Sequence, residues 1–445
     1  MKLAIIGGGG ARTPLLVNGL IQSDLPIAEI ALYDPDRPRL EMMATLARTR
    51  AGSVALTTAS TAAEAVSGAA FVFISIRVGG IAARAHDEST ALAHGIVGQE
   101  TVGPGGFAKA MRTVPHVVGY AREVQAHAPG AWIINFTNPV GIVTQAVRTA
   151  TGARIIGICD TPTELYEEVC HALDVPSAES YVDYFGLNHL GWIREVYHHG
   201  EPQLHRLWDD QERLTRIYRS LLFTREFLRE LRLLPTEYVY YYYRASDAYR
   251  NVVRTGTSRA AVIEQLNQEL FAQLAADVQE PVTVYEQYIA ARDAGYMQLE
   301  SGSAVPRVKS LWGEATGYDR IALNTVRAIQ FHSNAIIPLN VQNRGNLPEL
   351  EFEDVIEVPC VVNGNGARPL HSGAVPDAVR GLLLHVKEYE RLTVDAALTR
   401  AVETATTALA RNPLVPDRTT AERLMQALRL EVGSDPGQTR SDPRA

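Results

Sequence analysis

The chain opens on KLAIIG followed at once by three more glycines, Gly8 to Gly10, and this junction restricts the folds open to it. An apolar, β-rich run that ends in glycines and enters a helical pattern reads as strand, tight loop and helix. Glycine in such a loop lets the backbone approach a pyrophosphate, and the helix behind it offers amide N–H groups. Four more runs of the same kind follow: EIALYD (29–34), FVFISI (71–76), AWIINF (131–136) and ARIIGI (153–158). Continuous apolar runs suit strands covered on both faces. Helical patterns at 13–22, 37–49, 107–125 and 140–149 separate them. Parallel strands need crossover helices, so the alternation predicts an α/β chain whose residues 1–165 form a Rossmann-like, doubly wound parallel sheet. Asp34 closes the second run, where a carboxylate accepts hydrogen bonds from a ribose 2′-hydroxyl and favours NAD over NADP. Gly7, Gly8, Gly9 and Asp34 are the expected cofactor residues. Arg12 stands where the third fingerprint glycine belongs.

Beyond residue 165 the character changes. Residues 181–188 and 192–197 read as adjacent strands, 212–231 as helix-rich, and 259–278 as a long amphipathic helix. A strand is expected within 350–363 and two helices within 378–410. Residues 166–436 are therefore expected to form a mixed α+β domain for substrate, metal and oligomerisation, with 437–445 a flexible polar tail. Of the 445 residues 46% are hydrophobic and 21% charged, which excludes a disordered or collagenous chain. A formal net charge of −8 recommends neither a nucleic acid nor an anionic membrane as partner. No apolar run approaches the roughly 20 residues of a membrane helix, and the N-terminus is too short and Gly-rich for a secretory signal. Cys159, Cys170 and Cys360 are too few for a disulfide framework, so a cytoplasmic protein is expected.

Several segments carry a more specific pattern. GGGGARTPLLVNGL (7–20), RAHDE (84–88), GQETVGPGGF (98–107), NFTNPVG (135–141), GICD (157–160), FGLNHLGW (185–192) and PTEYVYYYY (235–243), with VIEVPC (355–360) and EYERLTVDA (388–396), occur in that order. Together they resemble glycoside hydrolase family 4, whose NAD- and metal-dependent glycosidases act largely on 6-phosphoglycosides. The resemblance implies a divalent ion, usually Mn²⁺, held by Cys159 and His189. It implies Tyr238 as base, Glu100 as the group that raises its basicity, and Asp160 at the general-acid position of α-specific members. Arg84, Asn138, Asn188 and Arg259 match positions that contact the sugar or its 6-phosphate. A homodimer or homotetramer is implied as well.

The chemistry implied is redox-assisted elimination. Hydride leaves C3 for NAD, the resulting ketone acidifies the C2 proton, the base removes it, and the C1 leaving group departs. Water then adds, and NADH returns the hydride. The expected substrate is a 6-phospho-β-glucoside; a 6-phospho-α-glucoside or an α-galactoside is the alternative within the family.

Read without the resemblance, these residues have plainer roles. Cys159 and His189 also suit a core, the tyrosines of 238–243 suit aromatic packing, and Asp160 before Thr161–Pro162 suits a helix N-cap. A free phenol titrates near 10, so a basic Tyr238 needs a cation or metal nearby. Two other classes compete: an NAD-dependent 2-hydroxyacid dehydrogenase, and a non-catalytic regulator binding NAD or a sugar phosphate. The first needs a His general acid paired with a carboxylate and an Arg for the substrate carboxylate, and His86, His94, His116, His127 and His171 offer no convincing pairing. The second would keep Gly7–Gly9 and Asp34 but lose Cys159, His189 and Tyr238. Two segments depart from the family: Gly10–Ala11–Arg12 replaces Ser-x-Tyr, and ATGYDRIALNTV (315–326) replaces GG-x-x-YS. Both bear on the glycone, the anomer and the group at C6.

Overall fold

A computed structural model describes residues 1–217, 222–276, 279–295, 318–430 and 432. The expected tail 437–445 lies outside them. Six parallel strands form the frame: β1 (Lys2–Ile6), β2 (Glu29–Tyr33), β3 (Ala55–Thr58), β4 (Phe71–Ile74), β5 (Trp132–Asn135) and β6 (Ile155–Gly157). Their order is β3-β2-β1-β4-β5-β6, the doubly wound arrangement whose switch point, where such sheets bind ligands, lies between β1 and β4. Residues 3–6 of β1 and all of β4 are buried, as strands covered on both faces must be. Helices Thr13–Gln22, Arg37–Arg48, Gly103–His127 and Val140–Thr151 fall where their patterns place them.

The second half builds a smaller antiparallel sheet from β7 (Ser180–Leu187), β8 (Leu190–His198), β9 (Glu201–Pro202) and β10 (Leu234–Pro235). It also extends the first sheet. Strands β11 (Ala335–Gln342), β12 (Val355–Asn363) and β13 (Gly366–Pro369) add antiparallel beyond β6, giving nine strands in all. β6 meets β11 at Gly157 and Asn340. A Cβ on Gly157 would crowd Thr144, Val140 and Asn340, so glycine is what admits the incoming strand.

Strands β3 and β11 and the helix Gly80–Ala93 were not legible as patterns. β3 is four residues long with two exposed side chains, and β11 interrupts its apolar run with Pro338, Asn340 and Gln342. Helices Arg259–Ala275 and Pro281–Ala294 build a separate small core in which Leu270, Tyr285, Tyr288 and Ile289 pack with Met43 and Leu46. Helices Asp377–Thr399 and Val402–Ala410 match the expected pair. Among the described residues no helix is long and apolar enough to cross a membrane.

Candidate active site

The glycine loop leaves β1 with the amides of Gly7 and Gly8 both donating to the carbonyl of Tyr33 at 2.9 Å. Gly7 has φ +94°, and a Cβ there would run into the carbonyl of Ser75 at the end of β4. The Gly9 amide donates to Asp34 Oδ2 at 3.0 Å, and the Asp36 amide to Oδ1 at 2.9 Å. The acid is thereby fixed against the loop. Burial pushes its carboxyl above the usual range, against the two amides. Loop, helix N-terminus and carboxylate fit a dinucleotide at the β1/β4 crevice. Gly7→Ala is expected to abolish NAD binding and to destabilise the fold by at least about 1–2 kcal/mol, the cost of an L-residue in this region. Isothermal titration with NAD and a melting curve check this.

His189 sits in the two-residue turn between β7 and β8, where Leu187 pairs with Leu190. Its φ is +63°, a region that glycine favours, so the turn holds the imidazole at a cost of roughly 1–3 kcal/mol. The ring is buried, 3% exposed, and neither Nδ1 nor Nε2 has a hydrogen-bond partner. Burial pushes the imidazole down to about 3, so it is neutral at physiological pH and able to ligate. Tyr238 lies parallel on this ring, with centroids 3.8 Å apart and planes 4° from parallel. Its neighbours Tyr240 and Tyr241 are buried in the core, as aromatic packing predicts.

Glu100 is ringed by cations. Arg84 Nη1 and Lys109 Nζ approach it at 3.0 Å each, and Arg77 pairs with it as well. Burial opposes the carboxylate's charge, but the three cations outweigh burial and hold Glu100 well below the usual range. Burial, with Arg77 beside it, brings the Lys109 ammonium down to about 7. Arg84 also donates from Nε to Glu88 at 2.7 Å, and Glu88 accepts the Ala260 amide at 3.1 Å. The two expected arginines are thus joined through one carboxylate, because Arg259 immediately precedes Ala260. The Arg259 guanidinium donates to the carbonyl of Arg292 at the end of helix Pro281–Ala294.

Cys159 lies two residues past β6 and is buried, 1% exposed. Burial, followed by Glu357 and Asp160, pushes its thiol well above the ordinary value. A bound divalent ion would reverse that balance and take the thiolate. Asp160 occupies the N-cap of helix Thr161–Leu173, yet its side chain caps no amide. Asn138 Oδ1 is buried without a partner. Asn188 is engaged at both ends: Oδ1 accepts the Val140 amide and Nδ2 donates to Glu357 Oε1, each at 3.2 Å.

One chain thus carries a buried imidazole with two open nitrogens, a phenol stacked on it, a buried thiol and a glycine loop closed on an aspartate. The model described as family 4 glycosyl hydrolase matches residues 2–175, and that of the family 4 glycosyl hydrolase C-terminal domain matches 184–415. The chain belongs to glycosyl hydrolase family 4. A Bacillus subtilis relative named "Probable 6-phospho-beta-glucosidase" is 31% identical over 445 residues, covering 96% of this chain and 95% of its own. The 6-phospho-beta glucosidase of Thermotoga maritima, solved with manganese, NAD+ and glucose-6-phosphate, superposes with a TM-score of 0.80 at 28% identity, covering 96% of this chain and 97% of that one. A 6-phospho-alpha-glucosidase from gut microorganisms, solved with NAD and Mn2+, gives 0.78 at 25%, with the same coverage.

Four residues bonded to these candidates, directly or through Glu357, escaped the sequence reading. Arg77 and Lys109 share Glu100, while Asn340 donates, as Asn188 does, to Glu357. A signal existed for each pair. Arg77 follows β4 at the carboxyl end of a strand, where such sheets bind ligands. Glu357 is an acid inside an otherwise apolar strand, and buried acids are uncommon unless partnered. Burial pushes its carboxyl up to about 7 against hydrogen bonds from Tyr184, Asn340 and Asn188.

Proposed function

We propose that this chain is an NAD- and divalent-metal-dependent glycosidase that hydrolyses 6-phosphorylated glycosides, 6-phospho-β-glucosides foremost. The observation that carries the reading is the parallel stack of Tyr238 on His189, whose ring nitrogens are buried and unpartnered. The glucose-6-phosphate, NAD+ and manganese of the Thermotoga maritima neighbour support it.

Cys159 and His189 would hold the ion, a thiolate and imidazole set that leaves positions open for a sugar's oxygens. NAD and the ion supply, when bound, the temporary oxidation at C3 and the carbonyl polarisation that acidify C2. Gly7–Gly9 and Asp34 hold the dinucleotide. The Tyr238 phenolic oxygen takes the C2 proton, and the ionised Glu100 sustains the field that favours that transfer. The Asp160 carboxyl gives a proton to the departing oxygen. Asn138 Oδ1 accepts from a sugar hydroxyl. Around Glu88 and Glu100 the cations Arg77, Arg84 and Lys109 are in excess, although the chain carries −8 overall. That local excess suits a phosphate, which guanidinium forks bind through paired hydrogen bonds.

The test is a panel of α- and β-linked nitrophenyl glycosides, each with and without a 6-phosphate, assayed with NAD, Mn²⁺ and a thiol reductant. Turnover is expected only of phosphorylated substrates, fastest on the β-linked one. Efficient turnover of unphosphorylated glycosides with no gain from phosphate overturns the reading. Arg259→Ala is expected to raise KM more than it lowers kcat, because a phosphate contact is equal in ground and transition states.

One observation favours a second reading, a 6-phospho-α-glucosidase. Asp160 stands where α-specific members carry their acid, and its side chain makes no helix cap. The α arm of the panel separates the two. A cytoplasmic homodimer or homotetramer goes with either reading, and the three buried free cysteines support the reducing compartment.

A further inference from the structure

Asn188 and Cys159 share a neighbour that the reaction itself does not call for. Glu357, on β12, is 1% exposed and accepts three hydrogen bonds. Tyr184 donates its hydroxyl to Oε2 at 2.7 Å, while Asn340 Nδ2 at 2.7 Å and Asn188 Nδ2 at 3.2 Å both donate to Oε1. Glu357 is also among the charges that act on the Cys159 thiol. Each of its amide partners leads to one half of the metal pair. Asn188 immediately precedes His189 and, through Oδ1, takes the Val140 amide at the start of helix Val140–Thr151. Asn340 lies opposite Gly157, two residues before Cys159.

We propose that Glu357 is a positioning residue for the metal pair: it clamps Asn188 and so holds His189 in its left-handed turn, while through Asn340 it fixes the strand that abuts the Cys159 segment. The inference rests on the reading of Cys159 and His189 as metal ligands. The turn needs such a clamp. A non-glycine residue at φ +63° persists only where its surroundings over-determine it, and Asn188, bonded at both ends, is the over-determined neighbour. The His189 ring makes no hydrogen bond of its own, so its aim depends on its backbone and on the Tyr238 stack. Partners that orient ligands from outside typically govern metal affinity by roughly 10- to 100-fold.

The two bonds to Oε1 need an acceptor, not a charge. A glutamine with its carbonyl at the Oε1 position keeps both, and its amide can donate to a turned Tyr184 hydroxyl. Alanine removes all three. The experiment is Mn²⁺ titration of the full-length, metal-stripped protein, with free ion read from its six-line electron paramagnetic resonance signal. Among the described residues one trio of potential ligands, Glu179, His198 and His199, lies on the surface, so His199→Ala serves as parent. Glu357→Gln is expected within about threefold of the parent and Glu357→Ala roughly 10- to 100-fold weaker. Tyr184→Phe, which leaves both Oε1 bonds in place, is expected to match the parent. Should Glu357→Ala fail to fold, Asn188→Ala cuts the same clamp from the other end and is expected to lose affinity alike. Parent-like affinity in a folded Glu357→Ala or Asn188→Ala overturns the inference while leaving the metal reading intact. Glutamine as weak as alanine overturns it in favour of charge. A parent that binds no Mn²⁺ overturns the metal reading itself.

Discussion

Tyr238→Phe is expected to fold, bind NAD and lose turnover by roughly 10²- to 10⁴-fold, the share of catalysis that a positioned proton transfer supplies. Phenylalanine keeps the ring that lies on His189 at 3.8 Å, so the packing survives and only the hydroxyl is removed. The isotope experiment makes the loss specific. Elimination breaks the C2–H bond, so substrate deuterated at C2 reacts more slowly and product formed in D₂O carries deuterium at C2. Displacement by paired carboxylates touches neither and gives no exchange. Tyr241→Phe is the control. Tyr241 is fully buried with its ring 6.1 Å from that of Tyr238, so its substitution is expected to be far milder. Wild-type product without C2 deuterium, together with an active Tyr238→Phe, rules out the elimination route.

Removal of either cofactor is expected to have an effect of similar size. Exhaustive treatment with EDTA, or stripping of bound nucleotide, should each silence the enzyme, and Mn²⁺ or NAD should restore it. Cys159→Ser tests the metal half through the protein. A hydroxyl in place of the thiolate is a poor ligand for the ion, and several kcal/mol of transition-state stabilisation depend on that ion. The expected loss is on the order of 10²-fold or more, with the melting temperature little changed because serine nearly fills the volume of cysteine. Weakened Mn²⁺ binding in the same variant locates the defect. Full activity after EDTA and nucleotide removal would end the reading.

The sequence announces what lies close together along the chain. The glycine loop, the helix behind it and Asp34 all sit within one strand–helix–strand unit, and the structure adds a hydrogen bond from the Gly9 amide to Asp34 that no sequence pattern announced. His189 and Tyr238 were marked by family segments, yet no local pattern says that their rings touch. Lys109 and Glu357 were invisible for a related reason. Each gains its meaning from a partner on another element, Glu100 for one and Asn188 for the other. Asp160 shows the opposite failure. Its setting before Thr161–Pro162 suits a cap, but the side chain makes no cap bond, so composition at a helix start does not settle the geometry there. Strand β11 escaped because Pro338, Asn340 and Gln342 break its run; Asn340 does so to reach the buried Glu357, and Gln342 to accept from Arg148.

The junction of β6 with β11 also bears on how the chain is made. When residues 155–157 leave the ribosome, the parallel strands already have their sequence partners, but the outer edge of β6 has none until residues 335–342 emerge. Contacts of such long sequence separation slow folding, and an open strand edge invites pairing with other chains in the interval. A fragment stopped near residue 175 would display that edge permanently, and with it Cys159 on a segment held from the β5 side alone. The nascent protein therefore depends on its last third to shield its first, and premature termination yields a sticky product rather than a small working domain.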